Sequence, residues 1–289
     1  MYSGFSFSRV VIIQSLGAVD GDIPTGRLIA EYIEPVIKEN EFDIPVEVID
    51  CESPEEFIET LKKLTAKALL GDYPLLHVDC HGDFEAGLSF NNGSDLEWKS
   101  VASALTSLNI ATKFNLLAVF SACFGFYFTE TMGITKPAPC WCLVAPCSAI
   151  KQDEILNNLR KFYEELFSTK DIGLSIQKLE DNELQHGAWI CSLTEELFDR
   201  LTEHYLVKHC SMESGKLRLD KFMNETNNKI TRKEMKVHFR EQNRIRLFEY
   251  FDRYFSTKLV PENKSRFKKV RHRLATRIKA LKATKKYYL

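Results

Sequence analysis

Apolar runs of strand length, separated by amphipathic stretches, dominate the first two thirds of the chain. Arg9-Val-Val-Ile-Ile-Gln14 has no internal polar alternation, as expected for a strand covered on both faces, and Ile44 to Ile49, Leu75 to Asp79, Leu116 to Phe120 and Trp141 to Ala145 read as further strands. Ala188 to Leu193 reads as a sixth strand, and Gly87 to Phe90 as a short one before the Asn91-Asn-Gly-Ser94 turn. Between them the apolar spacing is helical: Leu28, Ile29, Tyr32, Ile33, Val36 and Ile37, then Phe57, Leu61, Leu64 and Ala68, then Val101, Leu105 and Leu108, and last Ile155 to Phe167. The second of these helices has a clear start at Ser53-Pro54-Glu55-Glu56. Ser caps open N–H groups, Pro suits the first turn, and the Glu three places on reaches back. Strands alternating with helices predict an α/β architecture with a mostly parallel sheet flanked by helices, because parallel neighbours need long crossovers.

From Glu195 onward the pattern is helical and increasingly charged, with segments at Glu195 to His209, Arg232 to Phe255 and Asn263 to Lys286. The reading therefore divides the chain into a sheet domain, 1–194, and a helical, C-terminally basic extension, 195–289. Charge sharpens this division. The formal net charge is −1, yet residues 258–289 carry twelve Lys or Arg against the single acid Glu262, which leaves the rest of the chain at −12. Phe267, Val270, Leu274, Ile278 and Leu281 mark an apolar face, so the tail is expected to be a cationic amphipathic helix docked on the acidic body or on a partner. Nucleic-acid binding through the tail is the less favoured use of that charge. No apolar run approaches the roughly 20 residues that span a bilayer. Eight cysteines lie mostly in or beside apolar runs of a chain too large to need disulfides, and no signal peptide opens it, so the expectation is a cytoplasmic protein without membrane contact.

Two strand ends carry the candidate chemistry. His81-Gly82 follows one apolar run and Ser121-Ala122-Cys123 follows the next long one, 42 positions later. In parallel sheets ligands bind at the carboxyl ends of strands, so the two can meet there, Cys123 as nucleophile and His81 as base. Taken singly, each has a plainer account: Cys123 as a small buried residue, His81 as a satisfied loop histidine. Their coincidence at consecutive strand ends favours catalysis. A helix over Phe124 to Met132 would set its positive end near the Cys123 sulfur. His77, inside its strand, reads as core. Cys140-Trp-Cys142 with Cys147 lacks zinc-site spacing and reads as core packing, so no metal or cofactor is called for.

His81-Gly82 together with Ser121-Ala122-Cys123-Phe124-Gly125 resembles the two motifs of the caspase-like cysteine peptidases, nearest to their CHAT and separase branch. The resemblance spans roughly residues 9 to 190 and includes strand order. It implies a caspase-like fold and an endopeptidase in which Cys123 attacks the scissile carbonyl, His81 protonates the leaving amine, and the backbone N–H groups of Gly82 and Cys123 hold the oxyanion. It implies a protein substrate and a regulatory protein partner, in a family that often acts in cell-death and defence proteolysis. Charges that could line a specificity pocket are Asp20, Asp22 and Arg27 after the first strand and Asp153 or Glu154 after the fifth, with Asp153, Asp22 and Arg27 preferred. Each also reads as a solvated loop charge or helix cap. Asp83 is a turn residue outside the catalytic set. The alternative function is a catalytically inactive caspase-like module that holds protein partners.

Overall fold

The two-sided apolar runs pair into a mixed, mostly parallel sheet. Its strands are β1 (Arg9–Ser15), β2 (Val46–Asp50), β3 (Pro74–Asp83), β4 (Gly87–Ser89), β5 (Asp95–Leu96), β6 (Leu117–Ser121), β7 (Cys142–Pro146) and β8 (Trp189–Leu193). The order is β2-β1-β3-β6-β7-β8, parallel except for β8, which runs antiparallel to β7; β4 and β5 extend from the end of β3. The computed structural model describes residues 6–17, 21–180, 189–225 and 231–289, so Asp20 and Ala188 lie outside the described residues.

Helices α1 (Thr25–Glu39), α2 (Pro54–Leu69), α3 (Trp98–Ala111), α4 (Gln152–Thr169) and α5 (Ile172–Glu180) flank this sheet. Alternation along the strands decides which helices each side chain meets. Val11, Ile13, Leu76, Val78, Cys80, Ala118, Phe120 and Ala122 share a core with Phe57, Leu61 and Leu64 of α2 and Val101, Leu105 and Leu108 of α3. The residues between them face α1 and α4, as shown by Asp79 bonding to Thr25 and His77 to Tyr163. The start of α2 is built as its sequence indicates. The Ser53 hydroxyl accepts the Glu56 N–H at 3.2 Å, and the Glu56 carboxylate reaches back to the Glu52 N–H at 2.8 Å.

The chain separates into two compact units, Met1–Met132 with Pro139–Leu193, and Gly133–Ala138 with Thr194–Leu289. The second is helical: α6 (Thr194–Cys210), α7 (Met212–Glu225), α8 (Arg232–Tyr254), the short α9 (Asn263–Arg266) and α10 (Lys268–Thr284). Helices α5 and α7 were not legible in the sequence. Among the described residues no helix is long and apolar enough to cross a membrane.

The structure corrects three local expectations. His81 does not sit in a turn at the end of its strand: β3 continues past the parallel sheet to Asp83, and His81 pairs with Ser89 of β4. The turn comes later, where Asp83 accepts the N–H groups of Glu85 and Ala86 at 2.8 and 2.9 Å. The segment after Cys123 is a 3₁₀ turn, Gly125–Thr131, entered through Phe124 in the left-handed region at φ 57°. The Phe124 N–H donates to the Ser148 carbonyl and the Gly125 N–H to that of Ala122, so these two donors are not open to the sulfur. Finally, the strand expected over Trp141 to Ala145 runs one residue later, as Cys142–Pro146; Cys140 and Cys142 are both buried, and the Cys142 sulfur lies 3.4 Å from that of Cys191.

Candidate active site

The last registered pair of the β3/β6 ladder is Asp79 with Ser121, so continuing both chains by two residues carries each to a candidate, His81 and Cys123. Both continue on the α1 and α4 face. Ser121 already faces His77, with its hydroxyl 2.6 Å from Nε2, and Ala122 belongs to the opposite core. The backbones meet closely beyond the ladder: a Cβ on Gly82 would lie 2.3 Å from the Cys123 carbonyl oxygen. Glycine is therefore required after His81 by the approach of the other strand.

Two loops at the carboxyl ends of the parallel strands, β1 to α1 and β7 to α4, contact the pair. His81, 55% exposed at its side chain, places Nε2 2.8 Å from the carboxylate of Asp22, which lies in the loop between β1 and α1 and is only 13% exposed. The other Asp22 oxygen accepts from Gln152 Nε2 at 3.1 Å, and Gln152 Oε1 accepts the Ile23 N–H at 3.2 Å. Gln152 opens α4, two residues after Ile150, whose N–H donates to the partly exposed Cys123 sulfur at 3.5 Å. Contacts thus run from the thiol through the loop between β7 and α4 to Asp22 and the imidazole. Asp22 and His81 meet where the sheet order turns outward on either side of β1 and β3, the usual ligand position in such folds.

Helix α1 begins against the sheet without a side-chain cap of its own. Buried Asp79 takes its place, accepting from the Thr25 hydroxyl at 2.7 Å and from the Gly26 N–H, while Gln14 accepts the Arg27 N–H at 3.1 Å. Burial pushes the Asp79 carboxyl up to about 6, against the opposing effect of the Thr25 and Gly26 donors. His77 is fully buried and its pKa is driven down to about 3 by desolvation, so it is a neutral core histidine bonded to Ser121 and, through Nδ1, to Tyr163 at 3.1 Å.

The pocket candidates separate. Asp22 is engaged by His81 and Gln152. Arg27 pairs with Asp50 at the end of β2, and Asp153 is an exposed acid in the first turn of α4. Sequence reading did not find Gln152, Ile150 or the capping part of Asp79. The one visible signal was a carboxylate inside the apolar run Leu75-Leu-His-Val-Asp79. Among the described residues no group of three or more His, Cys, Asp or Glu side chains is placed to hold a metal ion. Compared with models of known families and with curated proteins, the sequence matches none, and the reading of this site rests on its own geometry.

Proposed function

We propose that this chain is a caspase-like cysteine endopeptidase of the CHAT and separase type that cuts a protein substrate with a Cys123–His81 dyad. The observation that carries the proposal is the delivery of the two residues to one face, by neighbouring parallel strands, at the ligand end of the sheet. The strand order with its antiparallel last strand supports it.

In this mechanism the Cys123 sulfur attacks the scissile carbonyl carbon and its proton passes to His81. His81 then gives that proton to the departing amine as the C–N bond breaks, leaving a thioester. Water, deprotonated by His81, cleaves the thioester, releases the acid and restores the thiol. The backbone N–H groups of Gly82 and Cys123 are assigned to the oxyanion, where such donors contribute on the order of 3 kcal/mol when preorganised. Asp22 fixes the plane of the imidazole, which makes it a positioning residue and no longer the preferred pocket acid.

The test is incubation of wild type and Cys123→Ala with a diverse peptide library, with cut sites read by mass spectrometry. Cuts by wild type that vanish in Cys123→Ala support the proposal. A wild type inert to the library and to a thiol-directed activity probe, or probe labelling that persists in Cys123→Ala, sinks it in favour of a silent binding module. Asp22→Asn separates the two roles of that acid. As a positioning residue it should lower kcat by about 10- to 100-fold with the residue preference before the cut unchanged. A changed preference with kcat retained would return Asp22 to the pocket.

A further inference from the structure

Along the sequence the basic residues of the tail are spread around the helix, but the fold sorts them by role. Helix α10 is anchored by Val270, Leu274 and Ile278, all buried. Arg273 pairs with Asp199 of α6 at 2.7 Å and Arg277 with Glu203 at 3.7 Å, while the Arg271 guanidinium lies over the Phe248 ring at 5.1 Å. Lys264, Lys268, Lys279 and Lys282 are left exposed, and no carboxylate of the described residues lies within ion-pair distance of them. At 100° per residue Lys268, Lys279 and Lys282 of α10 fall within about 60° of one another around its axis, on a stripe about 21 Å long at 1.5 Å per residue, which Lys264 of α9 precedes. Beside its first half is a hollow of about 480 Å³ lined by Lys264, Lys268, Arg271, His272, Ala275 and Asp252; the Asp252 carboxylate is held by the Thr257 hydroxyl at 2.7 Å.

We propose that this lysine stripe of α9 and α10 binds the phosphate backbone of nucleic acid. Three features choose this partner. The stripe is a row of point charges without an acid of its own, which matches a polymer of regularly spaced phosphates. Protein interfaces draw on aromatic residues and Arg and are poor in Lys. A membrane surface needs an apolar face to insert, and that of α10 is spent inward.

The experiment measures fluorescence anisotropy of labelled DNA and RNA, single- and double-stranded and about 20 nucleotides long, with the full-length protein. Four neutralised phosphate contacts predict affinity about 50- to 150-fold weaker at about 200 mM than at about 50 mM salt. The variant Lys264→Gln/Lys268→Gln/Lys279→Gln/Lys282→Gln should lose at least about 10-fold in affinity at low salt and nearly all of the salt dependence. A control carrying Lys38→Gln, Lys62→Gln, Lys99→Gln and Lys136→Gln, exposed lysines elsewhere, should bind as wild type does. Circular dichroism melts of both variants establish that they are folded, and all eight positions are solvent-exposed. Equal losses in variant and control, no binding by folded wild type, or equal affinity for polyglutamate or phosphatidylserine vesicles each overturn the proposal. Peptide cleavage by Cys123 is a separate readout, so failure of either proposal leaves the other standing.

Discussion

Cys123→Ala and His81→Ala are each expected to lower kcat/KM on a cleaved peptide by about 10⁴-fold, and the double variant to lose little more than either single one. A thiol without its proton acceptor and an imidazole without its nucleophile are equally unable to form the thioester. The losses overlap, whereas two independent groups would multiply theirs to about 10⁸. The fold should survive all three changes. The His81 side chain is 55% exposed, and Cys123 is partly exposed with its sulfur near only backbone atoms of Ile150 among its hydrogen-bond partners. Equal melting temperatures would therefore accompany lost activity. His81→Ala retaining more than about a tenth of wild-type turnover would remove the imidazole from the mechanism, since a general base contributes at least about 10²-fold.

The sequence was most informative where a single physical requirement fixed the residue type. Strands buried on both faces must be apolar throughout, so the runs at Val10 to Ile13, Leu75 to Val78 and Leu117 to Phe120 stand out, and all are buried. The start of α2 was legible because capping is local chemistry within four residues. Helix α7 was hidden by Ser211-Met-Glu-Ser-Gly215, which reads as a turn. Gly215 is there because the Tyr288 ring packs on it, at 2.3 Å from where a Cβ would sit, and that contact joins residues 73 positions apart. The continuation of β3 through Cys-His-Gly-Asp was equally unreadable, since its pairing depends on β4 folding back.

At the site, His81 and Cys123 could be singled out from sequence because each follows a buried apolar run, a position with chemical meaning in a parallel sheet. Asp22 could be found but not given its role. It lies 59 residues before His81, and the two meet because β1 and β3 are neighbours in the sheet although β2 lies between them in the chain. The basic tail shows the same limit. Its composition announced a charged helix, but only packing revealed that Arg273 and Arg277 are paired while Lys264, Lys268, Lys279 and Lys282 face solvent.

Asp79→Asn should change stability by an amount that itself depends on pH. The wild-type carboxyl is pushed up to about 6 in the folded chain by burial, from an ordinary value of 3.8. A raised carboxyl means that the folded state holds the proton more tightly than the unfolded one. Its contribution is therefore fully present below about pH 4 and lost as pH rises through 6, a swing of about 3 kcal/mol. Thr25 and Gly26 donate to this carboxylate, His81 favours its charge, and Asp22 opposes it. Asn keeps the shape and cannot titrate. The difference between wild-type and Asp79→Asn unfolding free energies, from urea titrations, should shift toward wild type as pH falls from about 8 to about 5, by roughly half of that swing. A gap that stays constant across that range would mean that the charge of Asp79 is not costly, and that the cap it places on α1 is strong enough to offset its burial. Because α1 follows directly from the loop that bears Asp22, the same carboxylate also bears on the orientation of His81: cleavage by Asp79→Asn should fall at every pH, and most of all where wild-type Asp79 is ionised.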